Sequence, residues 1–301
     1  MPLGVPKTVG FLLDDPQNQY QQLLVKEAQL WAARSSLTLM EPEFAAGSSW
    51  TQLESMQSWL RQPTRPDGLM VMMAGSQLAA SAFARLTRAS MPIVFLNRIP
   101  AWVDDLRAEF PDALIAAVAP RQEGIGEVQG RHAVGLAPAG AFVLLVTGES
   151  KSQAAIDRQR GFERIVGSRF EVHVLEGRWS AEGAAQAMAD WFRVGARRQA
   201  RVDLIVCQND TMASGVRRAL VEQARASGRT DLTTIPLVGC DGLQQEGRAM
   251  VSRGELAATV VLPATTPPAL QLLRRFWDSG AQSKTVLLEG TPFPALDEAA
   301  S

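Results

Sequence analysis

Short aliphatic runs alternate along this chain with stretches whose apolar positions recur at helical spacing. "TVGFLLD" from Thr8 is followed by "YQQLLVKEAQLWAARS", in which Leu23, Leu24, Ala28, Leu30 and Trp31 form one face of a helix. "SLTLMEP" precedes a helix around Leu53, Met56 and Leu60, and "DGLMVMM" precedes one around Leu78, Phe83 and Leu86. "PIVFLNR", a Pro-rich insertion near Trp102 and "ALIAAVAP" complete the first half. In the second half "AFVLLVTG", "FEVHVLEG", "VDLIVCQND" and "IPLVGCDG" read as strands, each with a helical segment after it, and "ELAATVVLP" closes the set. Strands that are apolar throughout and separated by helices are buried on both faces, which is the signature of parallel sheets. Two such sets, each of ordinary domain size, predict two α/β lobes.

In open parallel sheets ligands bind beyond the carboxyl ends of the strands. The polar residues at those ends are therefore the candidates for function. They are Asn97 and Arg98 after "PIVFL", Asn209 and Asp210 after "LIVCQ", Asp241 after "PLVGC", and Arg158 at the start of the helix after "TGESKS". Asn, Asp and Arg can hold hydroxyl groups through bidentate and charge-assisted hydrogen bonds. Each could equally cap the helix that follows. Trp102 and Trp179 fall in loops after strands, where an aromatic ring can face a cleft; Trp31, Trp59 and Trp191 read as packing residues on helices. Gln208 stays unassigned between the two roles.

Composition narrows the function classes. The chain has 301 residues, 46% hydrophobic and 20% charged, with a net charge of -1. That balance gives no electrostatic basis for binding nucleic acid or an anionic membrane. No apolar run approaches the roughly 20 residues of a membrane span, and the opening "MPLGVPKTVGFLLDD" reads as a first strand with no export signal. Cys207 and Cys240 read as buried free thiols, with a bridge as the alternative. "VTGESKSQ" lacks the glycine that a phosphate loop needs before its lysine, and "EGIGEVQG" is one residue off a dinucleotide fingerprint and reads as a turn and helix start. His132, in a helix, and His173, in a strand, lack the spacing of a metal pair. No nucleophile–base pair is visible, and the adjacent carboxylates Asp14–Asp15 and Asp104–Asp105 point in different directions. No catalytic residue, metal or cofactor is expected.

In order and spacing, "AAIDRQRGF" (Ala154–Phe162), "CQNDTMASG" (Cys207–Gly215), "VGCDG" (Val238–Gly242) and "GELAATV" (Gly254–Val260) make the chain resemble the periplasmic sugar-binding proteins of the ribose/galactose type. Their type I periplasmic binding protein fold is shared with the effector domains of lactose-repressor-like regulators. The resemblance implies two Rossmann-like lobes, residues 1–121 with 263–284 and residues 122–262 with 285–301, joined by a three-segment hinge near Arg121, Leu262 and Lys284. It implies ligand contacts from Asn18, Tyr20 and Gln21, from Asn97 and Arg98, and from Arg158, Trp179, Asn209 and Asp241. Asn97 replaces the more common Asp, Cys240 the usual Phe, and Leu262 a frequent Gln. The implied function is binding of a sugar or sugar-like polyol, with hinge closure on the ligand and delivery to an ABC transporter permease. The alternative is a sensing module for a receptor, histidine kinase or regulator; an intact repressor is disfavoured because no helix-turn-helix segment precedes "KTVGFLL". The implied setting is a periplasmic monomer, or a cytoplasmic one if the sequence is complete.

Overall fold

The computed structural model describes residues 6–35, 37–63, 65–74, 80–194, 201–280 and 282–296. Leu78, expected on a helix, lies outside them. The chain begins β1 (Lys7–Leu13), α1 (Gln19–Ala32), β2 (Leu37–Leu39), β3 (Glu43–Phe44) and α2 (Ser49–Arg61). It continues β4 (Gly68–Val71), α3 (Ala80–Arg88), β5 (Ile93–Leu96), α4 (Val103–Glu109) and β6 (Ile115–Pro120). Next come α5 (Gln122–Leu136), β7 (Phe142–Thr147), α6 (Gln153–Val166), β8 (Glu171–Glu176) and α7 (Ala181–Arg193). They are followed by β9 (Leu204–Cys207), α8 (Asp210–Ser227), β10 (Leu237–Val238), α9 (Gly247–Ser252) and β11 (Thr259–Val261). The chain closes with α10 (Thr266–Ser279), β12 (Thr285–Leu288) and β13 (Thr291–Phe293).

Two compact units result, one of residues 1–120 and 264–288, the other of residues 121–263 and 289–301. In the first, the strands form a parallel sheet in the order β12-β6-β5-β4-β1-β2, with β3 also paired to β1. Leu288 pairs with Pro120 at the end of the β12–β6 ladder. That pairing goes with residues 285–288 lying in the first unit, where the resemblance implies 285–301 in the second. In the second unit the order is β10-β9-β7-β8, again parallel, beside a two-stranded antiparallel ribbon of β11 and β13.

Burial explains why these runs are strands. β4, β5, β6 and β9 are buried at every position, because helices cover both faces of each sheet. In the first unit Trp59, Phe83 and Phe95 fill one side of the core. Trp102 belongs there too. Its ring lies 5.3 Å from Phe83 and 5.6 Å from Phe95, which corrects the expectation that it faces a cleft. In the second unit Leu144, Met188, Trp191 and Ile205 pack on one side of the sheet and Val143, Leu145, Phe162 and Leu204 on the other.

Helix starts are set by side-chain caps. Asn18, Ser48, Ser180 and Asn209 each accept a hydrogen bond from the backbone N–H three residues on. Gly228 and Gly280, in left-handed conformations, end α8 and α10. "EGIGEVQG" lies wholly inside α5, so its glycines belong to a helix and not to a turn.

Candidate functional site

Each sheet changes its direction of strand addition once, between β1 and β4 in the first unit and between β7 and β9 in the second. The crevice beyond the carboxyl ends at such a switch point is where this architecture accepts ligands. The candidate residues can be located against these two points, one unit at a time.

In the first unit the loop after β1 is held by Gln21. Its side-chain carbonyl, buried at 3% exposure, accepts from the backbone N–H of Asp14 at 2.8 Å and of Asp15 at 3.1 Å. Asn18 is exposed and caps α1 by accepting from Gln21 N at 3.1 Å. Tyr20 is buried on the same helix. Gln21 is thus a brace for the strand tip, with its acceptor oxygen engaged internally. Gln52, on α2, does the same for β4: it donates to Met72 O at 2.9 Å and accepts from Ala74 N at 3.0 Å. At the tip of β5 Asn97 is half-buried and turns the chain through a left-handed conformation (φ 64°), with its N–H on Val118 O at 2.9 Å. Arg98 follows it and is exposed.

The second unit gathers more of the candidates. Gln208 continues β9 by donating its N–H to Val146 O at 2.9 Å. Its fully buried side chain accepts from Gly148 N at 3.1 Å and donates to Ala155 O at 2.9 Å, so it ties the β7 tip to the first turn of α6. Its own carbonyl accepts from Nη1 of Arg158. Arg158 is 6% exposed; it also donates from Nε to Gln122 Oε1 at 2.8 Å and from Nη1 to Cys240 Sγ at 3.5 Å. Its guanidinium lies over the Trp179 ring, 5.4 Å from the centroid, within the range of a cation–π contact.

Trp179 is placed by two features. Arg178 and Trp179 both take left-handed backbone conformations (φ 53° and 57°), and the indole rests on the bare face of Gly148. Asn209 ties this turn to α8. Its Oδ1 accepts from Met212 N at 2.7 Å as the helix cap, and its Nδ2 donates to Trp179 O at 3.2 Å.

Asp210 and Asp241 differ sharply in their surroundings. Asp210 is fully buried and accepts at both oxygens, from Gly242 N at 2.7 Å and from the Thr259 hydroxyl at 2.7 Å. Asp241 sits at φ 113°, a region that side chains rarely occupy, pinned by N–H to Val260 O at 2.9 Å and by its carbonyl accepting from Leu262 N at 3.1 Å. No group among the described residues donates to its carboxylate. Burial pushes the Asp241 carboxyl up to about 7 against the opposing pull of Arg158, with Glu246 adding to the rise. Burial likewise raises Asp210 well above the ordinary range, and the Asp241 charge reinforces it.

Arg158 rides on a helix with almost no freedom to shift. A Cβ on Gly126 of α5 would stand 1.9 Å from Arg158 O, and one on Gly161 of α6 would stand 2.0 Å from Glu123 O. The two backbones are in direct contact at both points. Cys207 and Cys240 are both buried and free, with burial pushing each thiol far above its ordinary range.

Two polar residues that the sequence did not single out complete the second-unit cluster: Gln122, and Glu246, which accepts from the Thr211 hydroxyl at 3.3 Å; Gln208, unassigned from sequence, is a brace. The cluster holds hydrogen-bond donors, an open carboxylate and an aromatic edge. That set can grip a hydroxylated molecule; no nucleophile–base pair forms among the described residues of either cluster.

Comparison with known proteins agrees with this architecture. A curated relative, a xylitol-binding protein of Mycolicibacterium smegmatis, is 26% identical over 120 residues, covering 39% of this chain and 31% of that protein. A galactofuranose-binding protein of known structure superposes with a TM-score of 0.79 at 18% identity, covering 98% of this chain and 96% of the other. A myo-inositol-binding protein from Caulobacter gives 0.77 at 22% identity over 97% and 94%. The fructose-binding periplasmic domain of a hybrid two-component system gives 0.75 at 18% identity over 95% and 90%. At these identities the structural likeness establishes the type I fold. The periplasmic binding protein domain profile matches residues 9–265, and on that match the chain belongs to the family of periplasmic binding proteins.

Proposed function

We propose that this protein binds a sugar or sugar-like polyol without transforming it, closes on it by hinge motion, and delivers it to an ABC transporter outside the cytoplasm. The observation that carries the reading is the second-unit tip cluster. There no group among the described residues donates to the Asp241 carboxylate, which feels the Arg158 guanidinium, and that guanidinium in turn lies over the Trp179 ring. A pyranose, furanose or inositol offers hydroxyl donors for the carboxylate, hydroxyl acceptors for the guanidinium and an apolar edge for the indole. In the first unit Asn97 and Arg98 supply further polar groups after β5, and Asn18 caps α1 two residues before Tyr20. The relatives that bind xylitol, galactofuranose and myo-inositol support the ligand class.

Thermal-shift screening against pentoses, hexoses, inositols and linear polyols tests the reading, followed by calorimetry on any hit. One or more should raise the melting temperature, and Asp241→Asn should weaken that ligand at least tenfold. If nothing on the panel stabilises the protein, the sugar-binding reading is abandoned. A second reading is favoured by one observation, the likeness to a periplasmic domain of a two-component sensor. Under it, the same ligand would be reported to a kinase. Ligand-dependent stimulation of ATP hydrolysis by a reconstituted permease–ATPase pair supports delivery; stimulation of a kinase supports sensing.

A further inference from the structure

The guanidinium of Arg158 is held at two of its three nitrogens. Nε donates to Oε1 of Gln122 at 2.8 Å, and Nη1 donates to the Gln208 carbonyl and, at 3.5 Å, to Cys240 Sγ. Three of the five N–H groups of the guanidinium are therefore engaged inside the second unit. Among the described residues no acceptor is bonded to Nη2. The acceptors come from separate elements: Gln122 opens α5, Gln208 follows β9 and Cys240 follows β10.

The bond to Gln122 is made where the two helices cannot slide past one another. A Cβ on Gly126 would stand 1.9 Å from Arg158 O, and one on Gly161 would stand 2.0 Å from Glu123 O. Glu123 is next to Gln122 in the chain, so the backbone that carries the amide is fixed against the backbone that carries the guanidinium. Three ion pairs cross the same contact: Arg160 with Glu123 at 3.2 Å, and Arg164 with Glu123 at 2.9 Å and with Glu127 at 2.7 Å. The Gln122 side chain thus reaches Nε from a rigid base.

We propose that Gln122 is a positioning and specificity residue: by holding Arg158 at Nε it presents Nη2 alone to the ligand and denies a sugar acid a two-point grip. This rests on the sugar-binding reading of the same cluster and extends it to the charge of the ligand. A carboxylate binds a guanidinium best through two parallel N–H···O bonds, from Nη1 with Nη2 or from Nε with Nη2. The Gln208 carbonyl and Cys240 Sγ occupy the first fork, and Gln122 occupies the second. A hydroxyl oxygen needs a single donor, and the two N–H groups of Nη2 serve a pair of adjacent hydroxyls without a fork. Removing the Gln122 side chain frees Nε, which opens a fork that a neutral sugar does not need and a sugar acid can use.

Two readouts test this. In the ligand-free protein the Arg158 Nε–H is followed by proton–nitrogen NMR, its signal identified by its loss in Arg158→Lys. In the wild type it should exchange with solvent about tenfold more slowly than in Gln122→Ala, since a bonded donor exchanges only when its bond opens. Gln122→Glu, which keeps an oxygen for Nε, should restore the protection. Slowed exchange supports the positioning even if no sugar binds; equal exchange in wild type and Gln122→Ala refutes it even if sugars bind. Calorimetry then compares the best-bound neutral sugar of the panel with the aldonic acid of the same carbon skeleton. Gln122→Ala should weaken the neutral sugar about tenfold, the loss of one well-oriented charge-assisted donor, while the acid keeps or gains affinity. Gln122→Glu should bind the neutral sugar within about threefold of wild type and the acid no better. An equal loss for both ligands, or a loss in Gln122→Glu as large as in Gln122→Ala, would reduce Gln122 to a structural residue and overturn the proposal. Should Gln122→Ala not fold, Gln122→Met, which fills similar space without an oxygen, takes its place in both measurements.

Discussion

The indole of Trp179 lies directly against Gly148, so close that a Cβ there would fall 1.9 Å from Cε2 and 2.2 Å from Cζ2. Gly148 is at the same time the residue whose N–H is held by Gln208. The ring and the strand tip are thus fixed by one residue that has no side chain.

Gly148→Ala should dislodge Trp179. The added methyl meets a rigid ring held by a left-handed turn, an overpacking that costs about 1–3 kcal/mol. Thermal unfolding should fall by several degrees, tryptophan emission should shift, and sugar affinity should drop at least fivefold. Unchanged emission together with unchanged affinity would falsify the placement of Trp179.

The contact between α5 and α6 predicts a contrast between two glycines of the same helix. Gly126→Ala would drive a methyl into the α6 backbone, where nothing flexible can yield, and should destabilise the protein by about 3 kcal/mol or more in urea unfolding. Gly135 lies on the same helix with nothing within 4 Å of its added Cβ. Gly135→Ala should stabilise by roughly 0.5–1 kcal/mol, the ordinary preference of a helix for alanine. Equal effects at the two positions would contradict the helix contact.

Much of this arrangement was legible in the sequence because it follows from periodicity. The aliphatic runs "LIVC" and "IVFL" became buried parallel strands, and the polar residues after them lie at the carboxyl ends, where the switch points fall. What was not legible depends on which partner each polar group finds. Gln21 and Gln208 sit at strand tips just as ligand contacts would, yet both are engaged by backbone groups brought in from other elements. Trp102 reads as a loop residue in sequence, but Phe83 and Phe95 from two other elements converge on it. β3, α4 and β13 have two to seven residues each, too short to leave a periodic signal. The ending of β12 inside the first unit is set by its pairing with β6, a contact across more than 160 residues that local pattern does not encode.

His132 supplies a pH dependence of stability independent of the ligand cluster. Burial holds its imidazolium at about 4, below the ordinary 6.5, with Arg131 adding to the depression. Between those values the unfolded chain binds a proton that the folded chain refuses. The contribution is fully present above pH 6.5 and is lost as pH falls through 4, amounting to roughly 3 kcal/mol at most. His132→Gln, which keeps a donor for the Thr259 carbonyl, should flatten the stability profile between pH 6.5 and 4. Denaturant unfolding of both proteins across that range checks this; parallel profiles would refute it.

The direct apposition of Gly126 to Arg158 and of Gly161 to Glu123 has a mechanical consequence. Where side chains separate two helices, a small displacement of one is absorbed by rotamer changes before it reaches the other. At these two points no side chain intervenes, so α5 and α6 form a stiff lever. The near end of that lever is Arg121, the first residue after β6, anchored by Glu289 at 2.6 Å where the chain leaves β12. A change of backbone direction at Arg121 is delivered to the Arg158 guanidinium without slack.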